Sequence, residues 1–437
     1  MIASFEPFTM AVYPTAVVHL DGDAFFTSIE QAVHSELRGR PVVTGKERGI
    51  IACASYEAKK LGVKRGIRLQ DAEKMCPGLV VLPSDYETYS LYSKRMFNIM
   101  RRFTPMVEES SIDEGFAEIT GVRRLFHTSY EEIAKTIKDT IHAELDITVS
   151  VGLSLTKGLA KMASKFRKPD GFTGVSGNNI HLFLQRHGLD DVWGFGPNTT
   201  KLLEKQGLKT AYDFAARPEK WAENLLGKIG REIWNELRGN VVYPVNTEEK
   251  STYATISKCK TFTAPSADRD FVYAKLVRNV ESAFIKLRRY KLKARLVIVA
   301  LRRRDFSQVA MEAKLNRHTS STQEVLPVIK DLFDRLFIDG TEYRTTVVLF
   351  GNIEEDRSDQ FELFEDRLRI DKMSAVSRAI DEINERFGKH KVCLGPSLYL
   401  DRGKKNSRDV PPERKRDLLP GETKRRRLGV PKLDVSV

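Results

Sequence analysis

The run Ala16-Val17-Val18-His19-Leu20 is apolar enough to form a buried strand, and it stops on Asp21-Gly22-Asp23, residues that cannot follow it into a core. A buried strand ending in acids sets them at the rim of a sheet, where they can point into a cleft. A second acidic pair, Asp113-Glu114, falls inside Glu108 to Ile119, a stretch that reads as a hairpin. Between and after these lie amphipathic stretches at Phe25 to Glu36, Tyr86 to Phe103 and Tyr130 to Leu145, and a strand at Thr148 to Leu153. The order β-α, then β-β-α-β, predicts an α+β mixed sheet backed by helices. Short strands at Pro41 to Val43 and Ile50 to Ala54 predict a small α+β lobe ending near Pro83.

Beyond Pro169-Asp170-Gly171 the pattern becomes helical. Gly194-Phe195-Gly196-Pro197 is a tight turn opening a helix that runs to Gln206-Gly207, and a second turn, Gly227 to Gly230, precedes another helix. Residues 240–252 are polar and irregular, which predicts a linker. Strands then follow at Ser257 to Phe262, Ala294 to Leu301, Val309 to Leu315 and Thr345 to Phe350, with helices at Phe271 to Arg289 and Val325 to Leu336, giving a second α+β domain. From Asp401 onward twelve basic residues face six acids, 12 − 6 = +6, without apolar periodicity. That composition predicts a disordered basic tail at 401–437.

With 437 residues there is chain enough for two to four cores. Lys and Arg total 72 against 59 acids, a net charge of +13 and a pI near 9.4, which favours a polyanionic partner such as nucleic acid. The cysteines, Cys53, Cys76, Cys259 and Cys393, form no close pairs, arguing against a zinc site or a disulfide framework and for a reducing, cytoplasmic setting. No segment is long and apolar enough to span a bilayer, and Met1 to Pro14 lacks the pattern of a secretory leader. Neither membrane insertion nor secretion is expected.

Nucleotidyl transfer between metals needs two ions roughly 3.5 to 4 Å apart, bridged by carboxylates. Magnesium takes few carboxylates and keeps waters and substrate phosphates, so a sparse set of acids on a strand end and a hairpin is a suitable supply. Asp21, Asp113 and Glu114 are such a set. Taken singly, each is more readily read as a solvent-facing turn or hairpin residue.

The order of the motifs decides between these readings. His19 to Phe26, His-Leu-Asp-Gly-Asp-Ala-Phe-Phe, and Ser110 to Phe116, Ser-Ser-Ile-Asp-Glu-Gly-Phe, resemble the two catalytic motifs of Y-family, translesion DNA polymerases of the bacterial polymerase IV and V type. The resemblance implies a right-hand fold with palm (16–24 and 85–175), small fingers (25–84), helix-hairpin-helix thumb (176–245), linker (246–255) and little finger (256–353). Residues 1–15 would be an N-terminal extension and 354–400 a clamp-binding segment and helix. It implies two Mg²⁺ ions, with Mn²⁺ as a substitute, held by Asp21, Asp113, Glu114 and the main-chain carbonyl of Gly22. Asp23 matches a family position that is not a ligand.

Further roles carry over position by position. Phe26 matches the steric gate that excludes a 2′-hydroxyl. Ala54 to Val63 resembles the fingers motif, pointing to Tyr56 and Lys59 on the triphosphate. Lys59 replaces the usual Arg, which loses bidentate contact, and Cys53 stands where a Ser or Thr hydroxyl is usual. Lys168, after a Lys-x-x-Ala-Lys-x-Ala-Ser stretch, matches the lysine that reaches the triphosphate from the palm. The turns with Gly194 and Gly196, and with Gly227 and Gly230, resemble the thumb elements that grip the DNA backbone through free N–H groups.

Asp191-Val192-Trp193-Gly194 is most similar to the polymerase V catalytic-subunit (UmuC-like) branch. Arg302-Arg303-Arg304, below a basic cluster from Lys286 to Arg295, corresponds to the little finger's hold on duplex phosphates. Gln360-Phe361-Glu362-Leu363-Phe364 resembles the peptide that docks bacterial polymerases on the sliding clamp, with Gln360, Leu363 and Phe364 as anchors.

The resemblance thus implies a low-fidelity, template-directed DNA polymerase acting on primer-template DNA and dNTPs in the DNA damage (SOS) response. Likeness to the polymerase V branch would add a regulatory subunit as a partner. A catalytically dead DNA- and clamp-binding scaffold would need only the basic surfaces, and a two-metal nuclease only the acids. The intact acid triad and Phe26 argue against the scaffold, and Phe26 and the triphosphate lysines argue against the nuclease.

Overall fold

The structure, a computed structural model, describes residues 8, 10–248, 253–356, 366–387 and 390–401. They form two compact units, the first ending at Glu248 and the second following it.

The first unit opens with β1 (Val17–Gly22) and α1 (Phe25–Val33), then β2 (Val42–Thr44), β3 (Cys53–Ala54), α2 (Tyr56–Lys60), α3 (Leu69–Met75) and β4 (Val80–Leu82). Next come α4 (Tyr86–Arg101), β5 (Val107–Glu109), β6 (Glu114–Glu118), α5 (Arg123–Phe126), α6 (Tyr130–Leu145), β7 (Val149–Ser154), α7 (Lys157–Phe166) and β8 (Phe172–Gly174). The main sheet has five strands in the order β5-β6-β1-β7-β8. β1 lies at its centre, antiparallel to both β6 and β7, which explains its unbroken apolar run. Alternation along β1 sends Val18 and Leu20 to the face covered by α4 and α6, where they pack among Tyr89, Met96, Phe97, Ile133 and Ile137. His19 and Asp21 therefore share the opposite face, which α7 crosses. The crossing is tight: a Cβ on Gly152 would stand 2.1 Å from the Ala160 carbonyl oxygen, so only glycine fits there.

The small lobe is a three-stranded sheet, β3-β2-β4, around Val43, Ile51, Ala58, Val63 and Ala72. The sequence reading anticipated β2 and β3 but not β4, α2 or α3. The two helices have five and seven residues, too few turns to show a helical period.

Helices α8 (Ile180–Gln185), α9 (Pro197–Lys205), α10 (Ala211–Ala215) and α11 (Glu219–Leu237) follow, sharing a core with Leu159 and Met162 of α7. Gly227, at φ 70° and ψ −157°, breaks α11 into two helical pieces, as the turn reading expected. The residues before β1 are more than an appendage. Phe8 is buried in this core, stacked on Tyr212 at 5.6 Å with the Arg238 guanidinium 4.2 Å from its ring, and Gly177 N–H donates to the Val12 carbonyl.

The second unit contains β9 (Ile256–Ser266), α12 (Arg269–Arg289), β10 (Leu292–Arg303), β11 (Gln308–Thr319), α13 (Thr322–Leu336), β12 (Tyr343–Glu355) and α14 (Arg367–Phe387). Its four-stranded antiparallel sheet has the order β11-β10-β12-β9. Val297, Val299, Leu301, Val348 and Phe350 face α12 and α13. The anticipated strands and helices all occur in order, and the strands are longer than periodicity alone indicated. The expected clamp peptide, Gln360 to Phe364, lies outside the described residues, as does the tail beyond Asp401.

Candidate active site

The register of three strands assembles the acids. Asp21 of β1 pairs directly with Glu114 of β6, and Gly22 N–H donates to the Asp113 carbonyl at 2.7 Å. Asp21 and Glu114 thus emerge side by side on the α7 face. Asp113 stands close enough to Asp21 to add a like-charge push on its carboxyl. Burial raises the Asp21 pKa, partly offset by Lys168, whose ammonium lies 2.5 Å from Asp21.

Glu114 faces two partners. The His19 imidazole and, against the effect of burial, the Lys161 ammonium hold its pKa down to about 2. Lys161 is the better-formed contact, at 2.8 Å from both carboxylate oxygens, whereas His19 Nε2 is 3.5 Å away. His19 is fully buried, its Nδ1 is 2.7 Å from Ser164 Oγ, and its Nε2 lacks a hydrogen-bond partner. Burial pushes the imidazole pKa down.

Among the described residues no three His, Cys, Asp or Glu side chains converge closely enough to hold a metal as they stand. Asp21 and Glu114 each carry a lysine ammonium, and Ser111 Oγ donates to Asp113 at 2.5 Å. The donor set still suits a hard cation. Carboxylate oxygens are concentrated in a partly desolvated rim, and the two lysine ammonium groups standing against them mark it as a place that attracts cations.

Asp23 behaves differently from its neighbour. It is fully buried and accepts from Ser150 Oγ at 2.8 Å and from Asp170 N–H at 2.7 Å. These bonds tie β7 and the loop after α7 to the end of β1, a structural role consistent with leaving Asp23 out of the ligand set.

Residues expected to meet the nucleotide lie beside this rim. Ser55 caps α2 by accepting from Ala58 N–H, which sets Tyr56 on its first turn. The Tyr56 hydroxyl reaches 3.5 Å from Asp23 Oδ1, and burial together with Asp23 and Asp21 raises its pKa. The exposed Lys59 ammonium sits 4.1 Å over the Tyr56 ring. Cys53 Sγ is 3.7 Å from Thr27 Oγ1. Phe26 is half-buried and lies flat against Tyr89, with centroids 4.4 Å apart and planes 13° apart, edge-on to Tyr86. Tyr89 is itself fixed, donating to Glu30 at 2.5 Å.

Sequence reasoning selected Lys168 but passed over Lys161 and His19. The signal was present: Lys157 and Lys161 are one helical turn apart on α7, and Lys157 pairs with Glu108 at 2.5 Å as Lys161 does with Glu114.

Of the glycines expected to meet DNA, Gly194 (φ 103°) and Gly227 need backbone that other residues rarely adopt, and exposed Gly196 caps α9 just before Pro197. Gly230 is buried, and a Cβ there would stand 2.6 Å from the Ala222 carbonyl oxygen, so close packing by itself requires glycine at this position. In the second unit, Arg302 donates to Gln308 and exposed Arg304 pairs with Glu342. Much of the cluster read upstream is internal rather than a free basic face. Arg288 forms a two-pronged bond to Asp381, buried Lys293 pairs with Asp356, and Arg295 donates to the carbonyls of Leu315 and Asn316.

Residues 20–165 match the impB/mucB/samB family and residues 254–363 match that family's C-terminal domain. A DNA polymerase IV of Dehalococcoides mccartyi (strain CBDB1) is 31% identical over 390 residues, covering 88% of this chain and 98% of the relative. A DNA polymerase IV of Opitutus terrae is 32% identical over 389 residues, covering 89% and 98%. In fold, a solved Y-family DNA polymerase chimera superimposes with a TM-score of 0.67 at 23% identity, covering 77% of this chain and 99% of that one.

Proposed function

The chain belongs to the impB/mucB/samB family of Y-family DNA polymerases, and from that premise we propose that Asp21, Asp113 and Glu114 are its catalytic acids. It is a DNA-directed DNA polymerase of low fidelity that acts in translesion synthesis. The observation supporting the assignment is the β1–β6 register, which sets Asp21 opposite Glu114 and bonds Gly22 to Asp113.

The family depends on divalent metal. Two Mg²⁺ ions, replaceable by Mn²⁺, held by Asp21, Asp113, Glu114 and the Gly22 carbonyl would supply charge compensation at the reacting phosphate and acidity at the primer hydroxyl. The reaction is attack of the primer 3′-hydroxyl on the α-phosphate of a dNTP, with pyrophosphate leaving and no covalent intermediate. Lys168, Lys59 and Tyr56 bring two ammonium groups and a phenol to the rim, partners for triphosphate oxygens. Phe26, held flat on Tyr89, is a rigid wall against a 2′-hydroxyl.

We assign palm to 16–24 and 85–175, fingers to 25–84, thumb to 176–245 and little finger to 256–353. Gly194, Gly196 and Gly227 in the thumb and Arg302, Arg303 and Arg304 in the little finger hold primer-template backbone. Gln360, Leu363 and Phe364 would tether the enzyme to the sliding clamp in the cytoplasm, and a regulatory subunit is a further partner to test.

Single-nucleotide primer extension with Mg²⁺ tests the core of this reading. Wild type extends with dNTPs and Asp113→Ala does not, although it binds primer-template equally well. Extension by Asp113→Ala at the wild-type rate would overturn the assignment.

A further inference from the structure

The hairpin joining β10 to β11 turns at Arg304-Asp305-Phe306-Ser307. Arg303 N–H donates to the Ser307 carbonyl at 2.8 Å, and Phe306 N–H to the Arg303 carbonyl at 3.1 Å. The acid of the turn is folded back on it: Asp305 Oδ1 accepts from Ser307 N–H at 2.9 Å and from its hydroxyl at 2.6 Å. Phe306 adopts φ 71°, a left-handed conformation that glycine or asparagine fills far more readily than an aromatic residue.

Its ring does not reach the core and is 67% exposed. One side is taken by the Arg344 guanidinium of β12, 4.0 Å from the ring centroid. At the hairpin end Arg302 bonds Gln308 and Arg304 pairs with Glu342, a polar and charged setting that suits a charged ligand better than an apolar one. An exposed ring beside a guanidinium is the arrangement on which an unpaired base stacks, while cations meet its phosphate.

We propose that Phe306 and Arg344 form a stacking platform for an unpaired nucleobase of single-stranded DNA. The platform rests on the polymerase reading only in taking DNA as the ligand, and it tolerates any base because every base offers a π-face. It gives this unit a hold on unpaired template in addition to backbone contacts on duplex.

The test is equilibrium binding by the full chain, read as fluorescence anisotropy, to labelled oligo-dT, to an abasic oligonucleotide of equal length and to a blunt duplex. Phe306→Ala binds oligo-dT about tenfold more weakly than wild type. It binds the abasic strand and the duplex as wild type does, and Phe306→Trp restores oligo-dT affinity. Phe306→Gly relieves the backbone, so it melts no lower than wild type yet shares the binding loss, which separates stacking from folding. Equal losses on oligo-dT and abasic strand, an equal loss on blunt duplex, or no loss anywhere would overturn the platform. Binding is read without turnover, so failure of the catalytic-acid assignment would leave this result unchanged.

Discussion

The Lys168 ammonium lies 2.5 Å from Asp21, an acid that lacks any structural hydrogen bond of the kind its neighbour Asp23 makes. Two acids, two residues apart, are therefore expected to have separable roles. Burial raises the folded pKa of Asp21, so its ionised form costs stability once the pH rises through that range. Asp21→Asn is expected to abolish primer extension while leaving the melting temperature unchanged or higher. Asp23→Asn places an amide against donors and should cost about 2 kcal/mol. Thermal melts beside extension assays check the contrast, and equal destabilisation by both changes would refute it.

Divalent metal should stabilise the folded chain through the same acids. Adding Mg²⁺ to metal-free protein is expected to raise the wild-type melting temperature by mass action, with the shift blunted in Asp113→Ala and Glu114→Ala. An undiminished shift in both variants would place the ions elsewhere.

Phe26 is expected to govern sugar choice through rigidity. Because Tyr89 fixes its ring plane, Phe26→Ala should relax the preference for dNTP over rNTP by roughly 100-fold in kcat/KM. The lost stacking should also destabilise by about 2 kcal/mol. Competing dNTP and rNTP incorporation measures the first effect and denaturant melts the second.

Glu236 of α11 is buried and accepts from three main-chain donors, Gly158 N–H at 3.0 Å, Val242 N–H at 2.8 Å and Tyr243 N–H at 3.0 Å. Glu236→Ala leaves these unsatisfied and should cost about 3 kcal/mol. Urea melts check this, with extension lost only in proportion to unfolding.

In the second unit, Asp268 caps α12 by accepting from Phe271 N–H at 3.0 Å and accepts from the Tyr399 hydroxyl at 2.6 Å. The Tyr399 contact and then the helix N–H lower its pKa from 3.8. A lowered folded value gives stability that is complete above the ordinary value and fades as the pH falls through the folded one. Asp268→Ala should therefore cost about 1 kcal/mol at neutral pH and converge with wild type in strong acid, as followed by circular dichroism.

The acid rim was legible in the sequence because its signals are local. An apolar run that stops on Asp21 makes a central strand with an acidic end, and the hairpin around Asp113 and Glu114 supplies its neighbour. The four strands and two helices of the second domain were read from period alone for the same reason. The short α2 and α3 were not, because five or seven residues complete too little of a helical period.

By itself the sequence determined which residues must be buried and which acids stand at strand ends, since hydrophobic alternation and polar stops act over a few residues. Only the tertiary structure decided the partners. Lys168 falls to Asp21, Lys161 to Glu114 and Arg288 to Asp381, Phe8 enters a core beyond α7, and Phe306 is left bare against Arg344. Most of these pairings join positions tens to hundreds of residues apart. Their geometry is set by strand register and helix crossing, which no local pattern of residues encodes.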